Sequence, residues 1–125
     1  MTDVITTQPL VIPAGNGSTA VYYEEVNLGD SQVETITIVF PPGCAGLVGA
    51  QVQYAVNPVY PEGANNWFIF DDYTFVIDVT NQQTAGQWRI AGYNEDVYQH
   101  TIQTYWGWNY LPVSQQQSLT QLVSL

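Results

Sequence analysis

The chain has 125 residues, of which 46% are hydrophobic and 14% aromatic, and its formal net charge is −10. That length suits one domain with its own core, and that hydrophobicity excludes an intrinsically disordered chain despite the charge. The negative charge arises because basic residues are nearly absent: the chain has 11 Asp and Glu residues but a single Lys or Arg, which is Arg89. Binding a phosphate backbone or an anionic bilayer takes several Lys or Arg, so nucleic acid and membrane surfaces are excluded as partners.

The cysteine content and the N-terminal residues indicate in which cellular compartment the protein is expected. Cys44 is the single cysteine, which excludes an internal disulfide and any metal site built from several cysteines. The first residues, Met1-Thr2-Asp3, lack the positive and apolar regions of a signal peptide, and no apolar stretch approaches the roughly 18 residues of a membrane-spanning helix. We therefore expect synthesis in a cytoplasm, without export by the ordinary secretory route.

Strand patterns recur along the chain, whereas helical periodicity is nearly absent. Runs rich in Val, Ile, Thr, Tyr and Phe alternate with clusters of Gly, Pro, Asn and Asp. Apolar and polar residues alternate most cleanly at 35–40, 73–79 and 87–92, as in antiparallel strands with one face on a core. The predicted strands are Val4–Ile12, Thr19–Leu28, Val33–Phe40, Leu47–Val56, Trp67–Phe70, Tyr73–Val79, Gln87–Tyr93 and Val97–Leu111.

These features predict an all-β, single-domain antiparallel β-sandwich over residues 1–112. A jelly roll is the first choice of topology, and an immunoglobulin-like sandwich is the alternative. The last predicted strand carries aromatics on both faces of its second half, so it either bends at Gly107 between sheets or has one face covered by a partner. We name as candidate interface residues in this strand Trp106, Trp108 and Tyr110.

The C-terminal segment 113–125 is polar and Gln-rich before it ends in apolar residues. A capping-box pattern predicts a short helix, but so short a helix is not stable alone in water. We predict that this tail docks on a partner protein or a neighbouring copy, with Leu119, Leu122 and Leu125 as contact residues.

No catalytic constellation is recognisable in the sequence. A nucleophile triad needs a Ser, Cys or Thr beside an oriented base, and His100 is the only histidine. A lone His on a strand is more often packed or hydrogen-bonded, and Cys44 is interpreted as a small residue in a turn. Nucleophile-elbow, dinucleotide-binding and phosphate-loop patterns are missing. We predict no catalytic residue, no cofactor and no metal ligand.

The paired acids Asp71-Asp72 lie between Phe70 and Tyr73, where a turn lets neighbouring side chains converge. Together with Asn65 and Asn66 they could form an oxygen-rich calcium site, although EF-hand spacing is absent. A simple Asx turn is the favoured interpretation, and calcium stays open. Glycoside hydrolysis by paired acids is disfavoured because the chain shows no long cleft-forming insertions.

The aromatic residues allow a binding function of another class. A sugar-stacking platform, as in a carbohydrate-binding module, could be formed by Trp67, Trp106, Trp108 and Tyr110. The simpler interpretation is that these residues fill the sandwich core and a subunit interface. An exposed one-sided aromatic strip would favour the platform.

Arg89, the sole cation, is predicted to have a structural role. A hairpin between Tyr73–Val79 and Gln87–Tyr93 would put both apolar sets on one face and place Asp78 opposite Arg89. Arg89 is then a cross-strand partner on the outer face. The alternative is that this Arg clamps an anion.

Four segments of the chain carry a resemblance to a known family. They are Ile12-Pro13-Ala14-Gly15, Phe40-Pro41-Pro42-Gly43-Cys44-Ala45-Gly46-Leu47, Phe70-Asp71-Asp72-Tyr73, and Gly92-Tyr93-Asn94 leading to His100-Thr101-Ile102. In these segments and in overall character, the chain from Ile12 to Leu111 resembles the all-β head proteins of tailed bacteriophages, namely capsid decoration or cement proteins and spike-like minor capsid proteins. The resemblance implies a protein without catalysis that assembles on a capsid lattice, often as a trimer, with an extended terminus gripping the shell.

The expected function is therefore a non-enzymatic virion structural protein, located on the capsid surface, whose partners are the major capsid protein and its own copies. The alternative is a carbohydrate-binding module or host-recognition domain. The apolar tail Leu119–Leu125 departs from many such head proteins and leaves open which terminus contacts the shell.

Overall fold

The computed structural model describes residues 4–15, 17–28, 31–63, 65–79 and 87–110. Within these ranges no helix offers the length and apolarity needed to cross a membrane. The described residues form the strands β1 (Val4–Ile12), β2 (Gly17–Glu25), β3 (Ser31–Phe40), β4 (Val48–Tyr54), β5 (Asn57–Tyr60), β6 (Tyr73–Asp78), β7 (Trp88–Asn94) and β8 (His100–Tyr110).

The strands form two antiparallel four-stranded sheets that pack face to face. Sheet A has the order β1-β8-β3-β6, and sheet B has the order β2-β7-β4-β5. The pairings nest, because β1 pairs with β8, β2 with β7, β3 with β6, and β4 with β5. A ribbon of strands folded over itself in this way is a jelly roll, so that prediction is confirmed and the immunoglobulin-like alternative is not adopted.

The predicted strands coincide with the observed ones to within a few residues, with one exception. Trp67–Phe70 makes only an isolated bridge, between Phe68 and Ala50. The fifth strand lies instead at Asn57–Tyr60, in a stretch whose Asn and Pro predict a turn. Pro58 is tolerated there because β5 is an edge strand, where a missing N–H breaks no ladder between two neighbours.

The predicted hairpin between β6 and β7 is wrong. β6 lies at the edge of sheet A, paired with β3, and Asp78 stands opposite Thr35. β7 lies inside sheet B, where Arg89 faces Glu25 on one side and Gln53 on the other. Both strands turn their apolar residues toward the same core from opposite sheets, so alternation alone does not distinguish a hairpin from a crossing between sheets.

The core fills the space between the two sheets. Its largest fully buried side chains include Trp88, Trp106, Phe40, Leu10, Ile12, Ile36, Ile38, Ile90 and Ile102. Trp88 from sheet B meets Trp106 from sheet A edge to face, with ring centroids 5.6 Å apart and an interplanar angle of 62°. A pair of this kind contributes about 0.5–1.5 kcal/mol beyond its buried area, so it helps to hold the sheets together.

Candidate functional site

Trp106 and Trp108 lie inside the sandwich. The Nε1 of Trp106 donates to Thr104 Oγ1 at 2.8 Å, and that hydroxyl donates to the carbonyl of Gln8 at 2.6 Å. The Nε1 of Trp108 donates to Thr6 Oγ1 at 2.9 Å. Because both rings are buried and both N–H groups are satisfied within the chain, these tryptophans are core residues and not the surface residues that an interface or a sugar platform requires.

The remaining predicted contact residues are not placed by the structure. Tyr110 ends β8, and its side chain lies outside the described residues. The same holds for the whole tail, including Leu119, Leu122 and Leu125. Their role at an interface stays a prediction.

His100 is engaged by a neighbouring carboxylate. Its Nε2 lies 2.7 Å from Asp96 Oδ2. The hydrogen bond from His100 is the main reason why the pKa of Asp96 is lowered, and the backbone N–H of Val97 acts in the same direction. The interpretation of His100 as a hydrogen-bonded strand residue is therefore confirmed.

Asp71 binds the turn that contains the single cysteine. Its Oδ1 accepts hydrogen bonds from the backbone N–H groups of Gly43 and Cys44, both at 2.9 Å. Cys44 is fully buried, and burial, reinforced by the carboxylates of Asp71 and Asp96, raises the pKa of its thiol to about 11. The thiol therefore stays protonated and poorly reactive at neutral pH.

Two of the candidate calcium ligands, Asp71 and Asn66, are engaged by the backbone. Asp71 serves main-chain donors of a distant turn, and the amide nitrogen of Asn66 donates to the carbonyl of Glu62. In the described part of the chain, no group of three or more His, Cys, Asp and Glu side chains is placed to hold a metal ion. Asp71 thus makes hydrogen bonds across the fold, not the local Asx turn favoured from the sequence.

The outer face of sheet A, here named the A face, is nearly free of charge. Its two described acids, Glu34 and Asp78, lie at one end, where the backbone N–H of Val79 donates to the backbone carbonyl of Glu34. Ile5 is 67% exposed and Val76 58%. The uncharged outward positions include Ile5, Thr7, Pro9, Val11, Thr35, Thr37, Val39, Thr74, Val76, Thr101, Gln103 and Tyr105. Such a surface can approach a second anionic body with little repulsion.

The outer face of sheet B carries a groove, here named the B groove. Its lining residues include Tyr23, Gln51, Gln53, Pro58, Trp67 and Arg89. Tyr23 and Pro58 come from the two edge strands β2 and β5, so they flank the polar side chains of the inner strands. The volume of about 400 Å³ falls within the range of small-molecule sites.

Trp67 is held at the groove by packing and by its chain neighbours. Its ring meets Tyr93 edge to face, with centroids 5.0 Å apart and planes at 90°. The next residue, Phe68, exchanges two backbone hydrogen bonds with Ala50 of β4, at 2.8 and 2.9 Å. The indole is therefore positioned before any ligand binds.

A run of hydrogen bonds crosses the groove. Arg89 Nε donates to Gln53 Oε1 at 2.5 Å, Gln53 Nε2 donates to Gln51 Oε1 at 2.7 Å, and Gln51 Nε2 donates to the carbonyl of Asn66 at 2.9 Å. Arg has only donors, so Gln53 must turn its oxygen toward Arg89, and this orients both amides. The glutamines are 2% and 7% exposed. Tyr23 covers the guanidinium, with Arg89 Cζ 4.2 Å from the ring centroid.

The sequence predicts only part of this groove. It places Trp67 in an aromatic platform and offers Arg89 as an anion clamp, but it gives no clear sign of a role for Gln51 or Gln53. The available signal was their position between the inward-facing apolar residues of 48–54. Glutamine at an outward strand position looks like ordinary solvent-facing polarity, so the signal is weak.

No protein-family model matches the chain, and no curated protein matches it at a significant level.

Proposed function

We propose that the chain is a non-enzymatic virion structural protein, a capsid decoration or minor capsid protein that assembles through the A face. The observation that carries this proposal is a charge-poor, partly apolar sheet face on a chain whose net charge is −10. Jelly rolls are also a common architecture of viral capsid domains, which supports the proposal by analogy of fold alone.

The state of the reactive side chains supports a role without catalysis. His100 is bonded to Asp96, the Cys44 thiol is buried, and the Asp71 carboxylate holds a turn. Each of these groups thus makes a structural contact within the described part of the chain.

Charge explains why copies would meet at the A face. With 11 acids and one Arg, any surface that displays carboxylates repels another copy at close range. Exposed Ile5, Val11, Val76 and Tyr105 lose contact with water when this face is covered, which stabilises the assembly. Contact with a shell protein follows the same reasoning, and a trimer is the stoichiometry that the resemblance implies.

Light scattering of the wild-type chain and of Val76→Glu tests the proposal. We expect a wild-type oligomer, and a monomer for Val76→Glu, because the new carboxylate is desolvated at the interface. The matched control is Val97→Glu, which places the same charge at an exposed site in the loop before β8 and leaves the oligomer intact. A monomeric wild type, or a Val76→Glu oligomer as stable as the wild type, contradicts the proposal.

We propose that the C-terminal tail 113–125 forms a second contact, in addition to the A face, with a partner protein or a neighbouring copy. Deleting Ser114–Leu125 is expected to leave the unfolding transition of the sandwich unchanged and to weaken assembly, measured by the same scattering experiment. A truncated chain that assembles as tightly as the full chain would remove the tail from the interface while leaving the A face under test.

A further inference from the structure

We infer that the B groove is a saccharide-binding site, in which a sugar ring packs against Trp67 while its oxygens accept hydrogen bonds from Gln51, Gln53 and Arg89. The site lies on the opposite side of the sandwich from the A face. Saccharide binding and assembly can therefore be tested independently.

Three side chains of the groove, Gln51, Gln53 and Arg89, carry hydrogen-bond donors. In the run from Arg89 to Asn66, each glutamine amide nitrogen uses one hydrogen on its neighbour and has a second left. Arg89 uses its Nε and keeps both terminal nitrogens. Donors held in a fixed arrangement suit a ligand rich in acceptor oxygens, which is the chemistry of sugar hydroxyls and carboxylates.

The aromatic residues supply the apolar part of the recognition. A pyranose ring presents C–H groups on its face, and these pack against an indole whose orientation is already set by Tyr93. Tyr23 adds a second ring on the other side of the groove, partly covered by the Arg89 guanidinium. A ligand with both a C–H face and oxygens at its rim therefore contacts both the aromatic rings and the hydrogen-bond donors of the groove.

The positive charge of Arg89 favours sugars that carry a carboxylate. Arg89 is the only cation of the chain, and no described carboxylate lies within 4.0 Å of its guanidinium, even though Glu25 stands opposite it in the register. A sugar carboxylate can therefore form a charge-assisted hydrogen bond there. A single cation is too few for a polyphosphate backbone. A purely apolar ligand would leave the amide donors unpaired.

The probes are oligogalacturonate and its methyl ester, together with an array of neutral and acidic glycans. Binding is followed by NMR through the indole N–H of Trp67 and the side-chain amides of Gln51 and Gln53. We expect these signals to shift with a saccharide at millimolar concentration, and acidic sugars to bind roughly tenfold tighter than their esters. If no saccharide of the array shifts the groove signals, the inference is wrong.

Variants separate the groove from the rest of the surface. Trp67→Ala is expected to weaken binding at least roughly tenfold. Arg89→Gln is expected to weaken binding of the acid more than binding of the ester, and so to remove the preference for the acid. Tyr98→Ala, which removes a ring 70% exposed in the loop before β8, is the matched control and should bind as the wild type does.

The unfolding transition of each variant shows whether it is folded. If Trp67→Ala does not fold, the Arg89→Gln comparison still decides the outcome, because it measures a preference between two ligands on a single protein. Equal preference in the wild type and in Arg89→Gln would overturn the role of Arg89, and full affinity in a folded Trp67→Ala would overturn the role of the indole.

Discussion

The ring of Tyr93 lies directly over Gly49, so closely that a Cβ at residue 49 would come within 2.2 Å of Tyr93 Cε2. Real Cβ atoms do not approach so near, so the ring requires a residue without a side chain beneath it. The same ring meets the indole of Trp67 edge to face, with centroids 5.0 Å apart. A glycine in β4 thereby leaves room for the ring against which an indole of the B groove packs.

Gly49→Ala is expected to destabilise the fold by about 1–3 kcal/mol, because Tyr93 must move out of a packed position. The cost is measured by urea unfolding in the wild-type and in the Tyr93→Ala background. Without the ring the clash is absent, so the cost should fall below about 1 kcal/mol. Equal costs in the two backgrounds would show that Tyr93 is not the obstacle.

The contact between His100 and Asp96 predicts a dependence of stability on pH. A carboxyl whose pKa is lowered in the folded state contributes stability that is present above its unfolded value, here 3.8, and is lost as pH falls through the folded value. Asp96→Asn should therefore lower the melting temperature at neutral pH, and the gap to the wild type should close below pH 3.8.

The control for that titration is Asp72→Asn, which changes an exposed carboxyl and should leave the melting temperature nearly unchanged throughout. A gap between wild type and Asp96→Asn that stays constant down to acid pH would show that the carboxylate form is not the stabilising one.

Much of the fold was predictable because antiparallel strands with one buried face alternate in sequence. Alternation at 35–40 and 73–79 located strands and identified the residues that face the core. It could not identify which strands pair, since every strand of a sandwich directs its apolar side to the same interior. The expected partnership of Asp78 and Arg89 failed for this reason.

The B groove was predictable only in part. Trp67 and Arg89 are rare residue types in this chain and attract attention. Gln51 and Gln53 do not, because glutamine is frequent throughout the sequence. Their burial depends on the order β2-β7-β4-β5, which brings Tyr23 and Arg89 beside them, and strand order is a long-range property that no local pattern contains.

The buried thiol of Cys44 is expected to react slowly with thiol reagents. Its pKa of about 11 leaves little thiolate at pH 8, and its burial blocks access. Labelling with a disulfide reagent should follow the rate of unfolding in native buffer and become fast in denaturant. Fast labelling of the native protein would mean that the turn at Gly43 opens readily.

Asp71→Ala is expected to lower the free energy of unfolding by about 1–2 kcal/mol, because the N–H groups of Gly43 and Cys44 lose their acceptor. The same substitution should speed the labelling of Cys44. Adding calcium to the wild type should leave its melting temperature unchanged, since Asp71 is engaged by the backbone. A rise with calcium would restore the metal site considered from the sequence.

The last prediction concerns Gly92 of β7, which lies against Leu10 and Ile12 of β1. A Cβ at residue 92 would lie 2.7 Å from Ile12 Cδ1, 3.0 Å from Leu10 Cδ2 and 2.9 Å from the carbonyl oxygen of Gly49. Two of these neighbours are flexible side-chain ends, but the third is backbone inside a sheet and has little room to yield. Gly92→Ala should therefore cost about 2–3 kcal/mol in urea unfolding.

Ile12→Val separates the two sources of that cost. It removes the atom nearest to the new Cβ and by itself costs about 0.5–1.5 kcal/mol. Combined with Gly92→Ala it should give a loss smaller than the sum of the single losses, yet not a full rescue, because the Gly49 carbonyl still obstructs residue 92. The control is Gly46→Ala, whose cost comes from a positive φ of 76° in open space, so its loss should simply add to that of Ile12→Val. Strict additivity for Gly92→Ala with Ile12→Val would mean that Ile12 gives way freely and that the backbone contact alone keeps residue 92 a glycine.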